Sequence, residues 1–202
     1  MKRILSYLIA VICITVSIST SMYAQEKGSF TDARDGKAYK TVKIGDQVWM
    51  GENLAFKTES GCWVYDDIKG YVKTHGYLYS WEVANKVCPD GWHLPSNAEW
   101  DQLSNYLGGP DAAGGKLKAT GTDSWKSPNT GATNSSGFTA LSSGCSGDNE
   151  YKGYLGLMTF FWTSEDEGDG AGICKALYSN KGEITIYGVE TKDGYSVRCL
   201  KN

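Results

Sequence analysis

Residues 81–109 carry the strongest local folding signals in the chain. Ser96 and Glu99 form an S-x-x-E capping box, in which each side chain can bond a backbone N–H at a helix start. Apolar side chains then recur at i, i+3 and i+7, which makes one helix face: Trp100, Leu103 and Leu107. Two glycines at 108–109 end this pattern, as is typical of helix C-termini. The stretch therefore predicts a helix that begins after Ser96 and stops at the glycines.

A second, shorter helix is predicted immediately upstream. Trp81, Ala84 and Cys88 fall on one side of it, and Pro89 closes it. A tight Cys-Pro-Asp-Gly-Trp turn then leads to the capping box. We expect this pair of helices to be the nucleus of the fold.

The rest of the chain predicts strands and irregular loops. Residues 38–44 and 47–50 alternate apolar and polar side chains around Gly45-Asp46, a two-residue hairpin signal. An irregular loop is predicted at 58–77, which is rich in Gly, Asp and aromatic residues, and another at 109–137, which is dominated by Gly, Ala, Ser, Thr and Asn. An acidic loop is predicted at 165–169. Further short strands are expected at 62–65, 138–141, 173–178, 183–187 and 195–200. The order of hairpin, helices, loops and antiparallel strands predicts an α+β domain with its helices on one side of small antiparallel sheets.

Six segments carry a resemblance to a known family. In order, they are residues 48–54, 88–100, 114–118, 134–141, 162–165 and 196–199. Through them the chain resembles the Fibrobacter succinogenes major paralogous domain family, whose members are secreted or surface proteins of bacteria. The helix ending in cysteine, followed by G-W-H-L-P-S and E-W, also looks like the helical part of C-type-lectin-like domains. The resemblance spans residues 30–202 and implies a single C-type-lectin-like domain, whose bounds we expect at 37–202.

The resemblance also implies a disulfide. It brings the end of the first helix, at Cys88, to the last strand, at Cys199. Cys145 and Cys174 flank the long loops and are predicted as a second pair, which leaves Cys62 as a thiol. With only His75 and His93 and no C-x-x-C, a structural zinc site is not expected.

The first 24 residues resemble a secretory signal peptide. Lys2 and Arg3 precede an apolar run at 5–18, which is shorter than the roughly 20 apolar residues of a membrane span. A membrane anchor is the competing interpretation. Residues 25–36 are predicted to be a flexible lead-in. We expect an exported protein in the periplasm, at the outer cell surface or secreted, where disulfides are permitted.

Charge and motifs exclude several function classes. The net charge of −3 comes without a basic block, which argues against nucleic-acid binding. The chain has no G-x-S-x-G, no phosphate-binding G-x-x-x-x-G-K-[ST] and no H-E-x-x-H. No catalytic residues are predicted from these patterns.

Two kinds of residue are candidates for ligand binding. Trp63 and Trp125 lie among glycine and polar neighbours, where an exposed ring can stack on a sugar or anchor a protein. Two oxygen-rich clusters are the other candidates: Asp148, Asn149 and Glu150, and Glu165, Asp166 and Asp169. If the clusters share one end of the domain, calcium is expected at Asp148, Glu150, Asp166 and Asp169. Solvated acidic loops are the competing interpretation.

The function predicted from these features is binding rather than catalysis. The leading hypothesis is a non-catalytic binding or adhesion module that recognises a glycan or a surface protein. The alternative is an enzyme of the formylglycine-generating oxidase type, because residues 162–165 resemble part of that fold. That chemistry uses two closely spaced copper-binding cysteines, whereas Cys174 and Cys199 lie far apart in sequence.

Overall fold

A computed structural model describes residues 26–65, 68, 70–147 and 154–202. The helices of this part are α1 Tyr71–His75, α2 Trp81–Val87, α3 Asn97–Tyr106 and α4 Pro110–Leu117. The strands are β1 Lys27–Thr31, β2 Ala38–Ile44, β3 Gln47–Met50, β4 Cys62–Trp63, β5 Leu78–Tyr79, β6 Trp92–His93, β7 Met158–Gly168, β8 Ala171–Tyr178, β9 Thr185–Glu190, β10 Tyr195–Ser196 and β11 Leu200–Lys201. The predicted α+β class and the predicted β2–β3 hairpin are confirmed.

The described strands form two sheets that the chain enters repeatedly. One has five strands in the order β1-β2-β3-β11-β6, and the other has six in the order β4-β5-β10-β7-β8-β9. Neighbours pair antiparallel except β10 and β7, which are parallel. Because β10 and β11 belong to different sheets, the last residues of the chain join the two sheets.

The core consists of two apolar clusters on opposite faces of the same strands. In β7, Phe160 and Trp162 belong to one cluster, and Phe161, between them, belongs to the other. This alternation follows from the two-residue period of a strand. Helix α2 covers the first cluster, and helices α3 and α4 cover the second, so the prediction that the helices lie on one side of the sheets was wrong. The two clusters therefore belong to one domain.

Helix α3 starts as the sequence predicts. The Ser96 hydroxyl accepts from the Glu99 N–H at 3.2 Å, and Glu99 accepts from the Ser96 N–H at 2.7 Å. Trp100 packs against Trp49 with ring centroids 5.0 Å apart, in the second cluster. The capping box fixes where the helix begins, and the tryptophan pair fixes which face is buried.

Helix α4 lies in a segment predicted to be loop, so this prediction was wrong. Pro110 occupies the first turn, where its missing N–H costs nothing. Gly114 and Gly115 weaken the helical pattern in the sequence, but they are needed for close packing. A Cβ at Gly114 would collide with the carbonyl of Glu183, and one at Gly115 with that of Gly131.

Other element boundaries also differ from the expectation. Part of the predicted lead-in is strand β1, and helix α1 lies in the predicted loop at 58–77. Most of the predicted acidic loop is the end of β7, because cross-strand pairing with β8 continues to Gly168. The predicted strand at 138–141 is only a bridge between Ala140 and Lys118.

None of the helices in the described part of the chain is both long enough and apolar enough to cross a membrane. The predicted signal peptide, residues 1–24, lies outside the described residues.

Candidate functional site

A cleft of about 430 Å³ opens where segments distant in sequence meet. Strands β1 and β2, the turn at residues 51–53, helix α1 and the segment 137–141 all contribute to its lining. Arg198, between β10 and β11, is buried and forms its floor. The volume is within the usual range of ligand sites, roughly 300–1,000 Å³.

The floor of the cleft is held by the hydrogen bonds of Arg198. Its Nε donates to Asn53 Oδ1 at 2.7 Å, and its Nη1 donates to the carbonyls of Met50, at 3.3 Å, and Phe138. Its Nη2 donates to the carbonyl of Thr139 at 3.1 Å. Each of these acceptors is an uncharged oxygen. The guanidinium is therefore hydrogen-bonded, but its charge is not neutralised by these partners.

Asn53 links this floor to the surrounding segments. Its Nδ2 donates to the His75 carbonyl at 2.8 Å and to the hydroxyls of Ser143 and Ser196 at 2.9 Å and 3.2 Å. Its Oδ1 accepts from Arg198. One buried amide thus fixes the end of α1 and two neighbouring segments relative to the arginine. These internal hydrogen bonds hold the floor in place.

Aromatic packing and burial set the electrostatics of Arg198. The guanidinium carbon lies 4.3 Å from the Phe138 ring centroid and 5.7 Å from that of Phe161. Burial lowers the pKa of Arg198 to about 9, and the Glu52 carboxylate partly opposes this. Arg198 is therefore protonated at neutral pH, and the cleft has a positive charge beneath it.

The lining above this floor is polar and mostly basic. Lys27, Lys40 and Lys73 are exposed lining residues, and Glu52 is the acidic one. The Glu52 Oε2 accepts from the Lys40 backbone N–H at 2.8 Å. The cleft is thus a positive feature on a chain whose net charge is −3.

The two candidate tryptophans have different environments. Trp125 is 1% exposed and donates its indole N–H to the Ala140 carbonyl at 2.9 Å. Its predicted role as a stacking platform was wrong, because the ring fills the core. Trp63 is 39% exposed on the edge strand β4, so its ring is accessible. Neither tryptophan lines the cleft.

The acidic cluster at 165–169 has a structural contact that the sequence did not reveal. Both carboxylate oxygens of Glu165 accept from the Asn97 N–H, at 2.8 Å and 2.7 Å, at the first residue of α3. A carboxylate at a helix N-terminus is favourable because of the exposed N–H groups there. Asp166 accepts from the Gly168 N–H at 2.8 Å, and Asp169 is exposed in the turn to β8.

The predicted calcium site is only partly visible. Asp148, Asn149 and Glu150 lie outside the described residues. Among the residues that are described, no group of three or more His, Cys, Asp or Glu side chains is arranged to hold a metal ion. Asp166 and Asp169 therefore belong to no such group within the described chain, and calcium binding stays a prediction for the undescribed cluster.

The cysteines confirm one predicted pair and correct the other. Cys88 and Cys199 form a disulfide with Cα atoms 5.9 Å apart. Cys145 and Cys174 remain thiols, so the predicted bond between them was wrong. Both are buried in the first apolar cluster, where a reduced cysteine packs as a small apolar side chain. Burial raises the pKa of Cys145 to about 12 and also raises that of Cys174. Cys62 is a half-buried thiol.

The residues that build the cleft floor were not predicted as site residues. Asn53, Arg198, Phe138 and Thr139 all fall in three of the six segments through which the chain resembles its family. Their place in these segments was the signal available from the sequence. Asn53, Thr139 and Arg198 come from three separate segments and are joined by hydrogen bonds in the fold. No single segment predicts these contacts.

Comparisons with known proteins give a family. No curated protein and no solved structure matches the chain. The C-type-lectin-like description of the fold therefore stays a prediction. The family model described as the Fibrobacter succinogenes major domain matches residues 42–201. Since this match covers most of the sequence, the chain belongs to the Fibrobacter succinogenes major domain family.

Proposed function

We propose that this chain is an exported, non-catalytic binding module that recognises a glycan or a surface protein through the cleft above Arg198. The observation that carries the proposal is the convergence of three family-shared segments on one preformed, polar cleft. Sites that bind small ligands are usually largely preformed and present a few fixed polar groups. Here the Asn53–Arg198 network supplies the fixed groups.

Export is supported by the chemistry of the cysteines. The Cys88–Cys199 bond closes a loop with a sequence separation of 111. Stable disulfides form in oxidising compartments, such as the periplasm or the cell exterior. This agrees with the signal-like residues 1–24 and favours a periplasmic, surface or secreted location.

The alternative function, an oxidase of the formylglycine-generating type, has less support. That chemistry needs two cysteines that can bind copper together. Cys199 is bonded to Cys88, and Cys174 is fully buried with a raised pKa. A thiolate is the metal-binding form of cysteine, and burial disfavours it. The two residues that the alternative would use are therefore poorly suited to it.

A binding array with two matched variants tests the proposal. The purified protein is applied to an array of glycans and extracellular-matrix proteins, with and without calcium. Thr74→Trp places a large side chain at the cleft, because Thr74 is an exposed lining residue on α1. Ser164→Trp places the same side chain beside the acidic cluster, where Ser164 is also exposed. Thermal unfolding of both variants verifies that they are folded.

We expect Thr74→Trp to weaken binding of any array hit by about tenfold or more, and Ser164→Trp to leave it unchanged. If Ser164→Trp weakens binding and Thr74→Trp does not, the binding site lies at the acidic cluster instead of the cleft. Turnover of a substrate by the chain, or no hit in any arm, would contradict the binding function itself.

A further inference from the structure

The lysines of the cleft have no acidic partners among the described residues. Within that part of the chain, the lysines that form ion pairs within 4.0 Å are Lys43, Lys175, Lys181 and Lys192. Lys27, Lys40 and Lys73 form none of them. Together with the floor arginine, the cleft therefore has four positive groups and one carboxylate, Glu52. Glu52 is itself engaged by the Lys40 backbone N–H.

The geometry strengthens this field. Arg198 is 2% exposed and its hydrogen bonds go to uncharged oxygens, so its charge acts from a poorly hydrated floor. Walls of low dielectric constant focus such a field into a cleft. A ligand carboxylate in the cleft would lie among these lysine residues, with the arginine beneath it.

The remaining lining indicates which kind of anion fits. Among the described residues that line the cleft, the apolar ones apart from glycines are Val42 and Leu141, and none is aromatic. Thr41, Thr74 and Thr139 are part of the lining instead. A peptide ligand normally anchors through apolar or aromatic pockets. A sugar acid, which has hydroxyls over its whole surface and one carboxylate per ring, matches a polar and basic lining better.

The first two strands supply two of the four positive groups. Lys27 lies on β1, and Lys40 lies on β2 two residues before the family match begins at residue 42. Strand β1 pairs with β2 along its whole length, with Lys27 opposite Val42. Lys27 and Lys40, on these two paired strands, therefore add basic residues to a cleft whose floor is built from the family-matched region.

From these contacts we infer that the cleft binds an acidic glycan, through the carboxylate of a hexuronate, and that Lys27 and Lys40 select for that charge. The inference rests on the proposed binding function and narrows its ligand to one class. Ion pairs replace the aromatic stacking that many glycan sites use.

The test compares each uronate with its methyl ester, which removes the negative charge and adds one methyl group per ring. Trigalacturonate and trimannuronate are titrated calorimetrically into the purified protein, beside their methyl esters, in which each carboxylate is neutral. Hexaglutamate serves as the acidic peptide. The variants are Lys27→Gln with Lys40→Gln, and Lys86→Gln, which removes one exposed charge from α2 away from the cleft lining.

We expect at least one free uronate to bind and its ester to bind about tenfold more weakly or worse. The double variant should lose about tenfold in affinity, and Lys86→Gln should bind within about twofold of the unmodified protein. Raising the salt from about 0.1 M to about 1 M should weaken uronate binding, because exposed charges are then screened.

Three outcomes would overturn the inference. The free uronate and its methyl ester could bind the unmodified protein with equal affinity, and both could fail to bind Thr74→Trp. That result would support the binding function of the cleft but refute its selection for charge. Binding of hexaglutamate without either uronate would assign the cleft to an acidic protein. If neither uronate binds but another glycan or a matrix protein on the array does, the inference of a sugar-acid ligand is refuted while the binding function stands.

Discussion

In the described part of the chain, Arg198 and Lys118 are buried cations held by neutral oxygens. Arg198 donates to carbonyl groups and the Asn53 amide, and Lys118 donates to the carbonyls of Thr130, Tyr178 and Lys181 at 2.9 Å, 2.7 Å and 2.8 Å. Burial lowers the pKa of Lys118 to about 8. The two cations differ in their access to a ligand. Arg198 lies beneath the cleft, whereas Lys118 does not line it and uses all three of its ammonium protons in hydrogen bonds to carbonyls. We assign Lys118 a structural role for that reason.

Replacing Lys118 with methionine tests this assignment. Lys118→Met keeps most of the side-chain volume but leaves three carbonyls without their donor, so we expect the free energy of unfolding to fall by about 2–4 kcal/mol. Lys126→Met, at an exposed position, should change it by less than about 0.5 kcal/mol. Urea unfolding measures both, and equal effects in the two variants would contradict the structural role.

His75 makes stability depend on pH. Its ring stacks on Tyr71 with centroids 3.9 Å apart, and burial lowers its pKa from 6.5 to about 4. The folded protein therefore binds fewer protons than the unfolded chain between these values, so the stability present above pH 6.5 is lost as the pH falls toward 4.

His75→Phe keeps the stacked ring and removes this titration. Between pH 6.5 and pH 4, the unfolding free energy of the unmodified protein should fall by about 1–2 kcal/mol more than that of the variant. This magnitude allows for solvent screening at the partly exposed ring. Urea titrations at both ends of the range provide the comparison. Parallel pH profiles would show that His75 does not contribute.

At the scale of elements, Glu165 connects β7 to the start of α3. Glu165→Gln keeps the shape but loses the charge-assisted bonds to the Asn97 N–H, and we expect a loss of about 1 kcal/mol in unfolding free energy, independent of calcium. Asp169→Asn, in the same acidic cluster but exposed, should have little effect. If calcium stabilises the protein and both variants abolish that gain, the cluster is a metal site and the structural explanation fails.

The elements that sequence predicted well have their causes close together in the chain. The capping box before α3 and the Gly45-Asp46 hairpin depend on residues within a few positions of each other. Helix α4 was missed because its glycines oppose helix formation locally and are explained only by the approach of residues 131 and 183. The acidic end of β7 was missed because pairing with β8 extends it past its last apolar residue. Boundaries set by distant partners could not be predicted from local pattern.

At the scale of the whole molecule, the disulfide links the end of α2 to the last strands. Its sequence separation of 111 gives an entropic stabilisation of about 4–5 kcal/mol in the loop-closure model. Cys88→Ala combined with Cys199→Ala should lower the unfolding free energy by an amount of this order. Cys62→Ser, at a half-buried thiol, should change it by less than about 1 kcal/mol. A double variant as stable as the unmodified protein would contradict the role of this bond.

The candidate site was harder to predict than the fold. Trp125 was chosen because its neighbours are polar, yet its ring is buried against the second apolar cluster. Arg198 and Asn53 gave no local signal, since each makes its contacts with residues far away in the chain. The family resemblance marked their segments, but only the fold shows that these segments meet at one cleft.

The most direct measurement of the central claim is NMR mapping of ligand binding on the labelled protein, with trigalacturonate as the probe. We predict that the largest amide shift changes occur at residues 27–28, 40–42, 51–53, 73–74, 137, 139 and 141, which line the cleft. Amides near Trp63 and in the β7–β8 turn should move little. Shift changes centred on Trp63 or on that turn, with the cleft unaffected, would contradict the account.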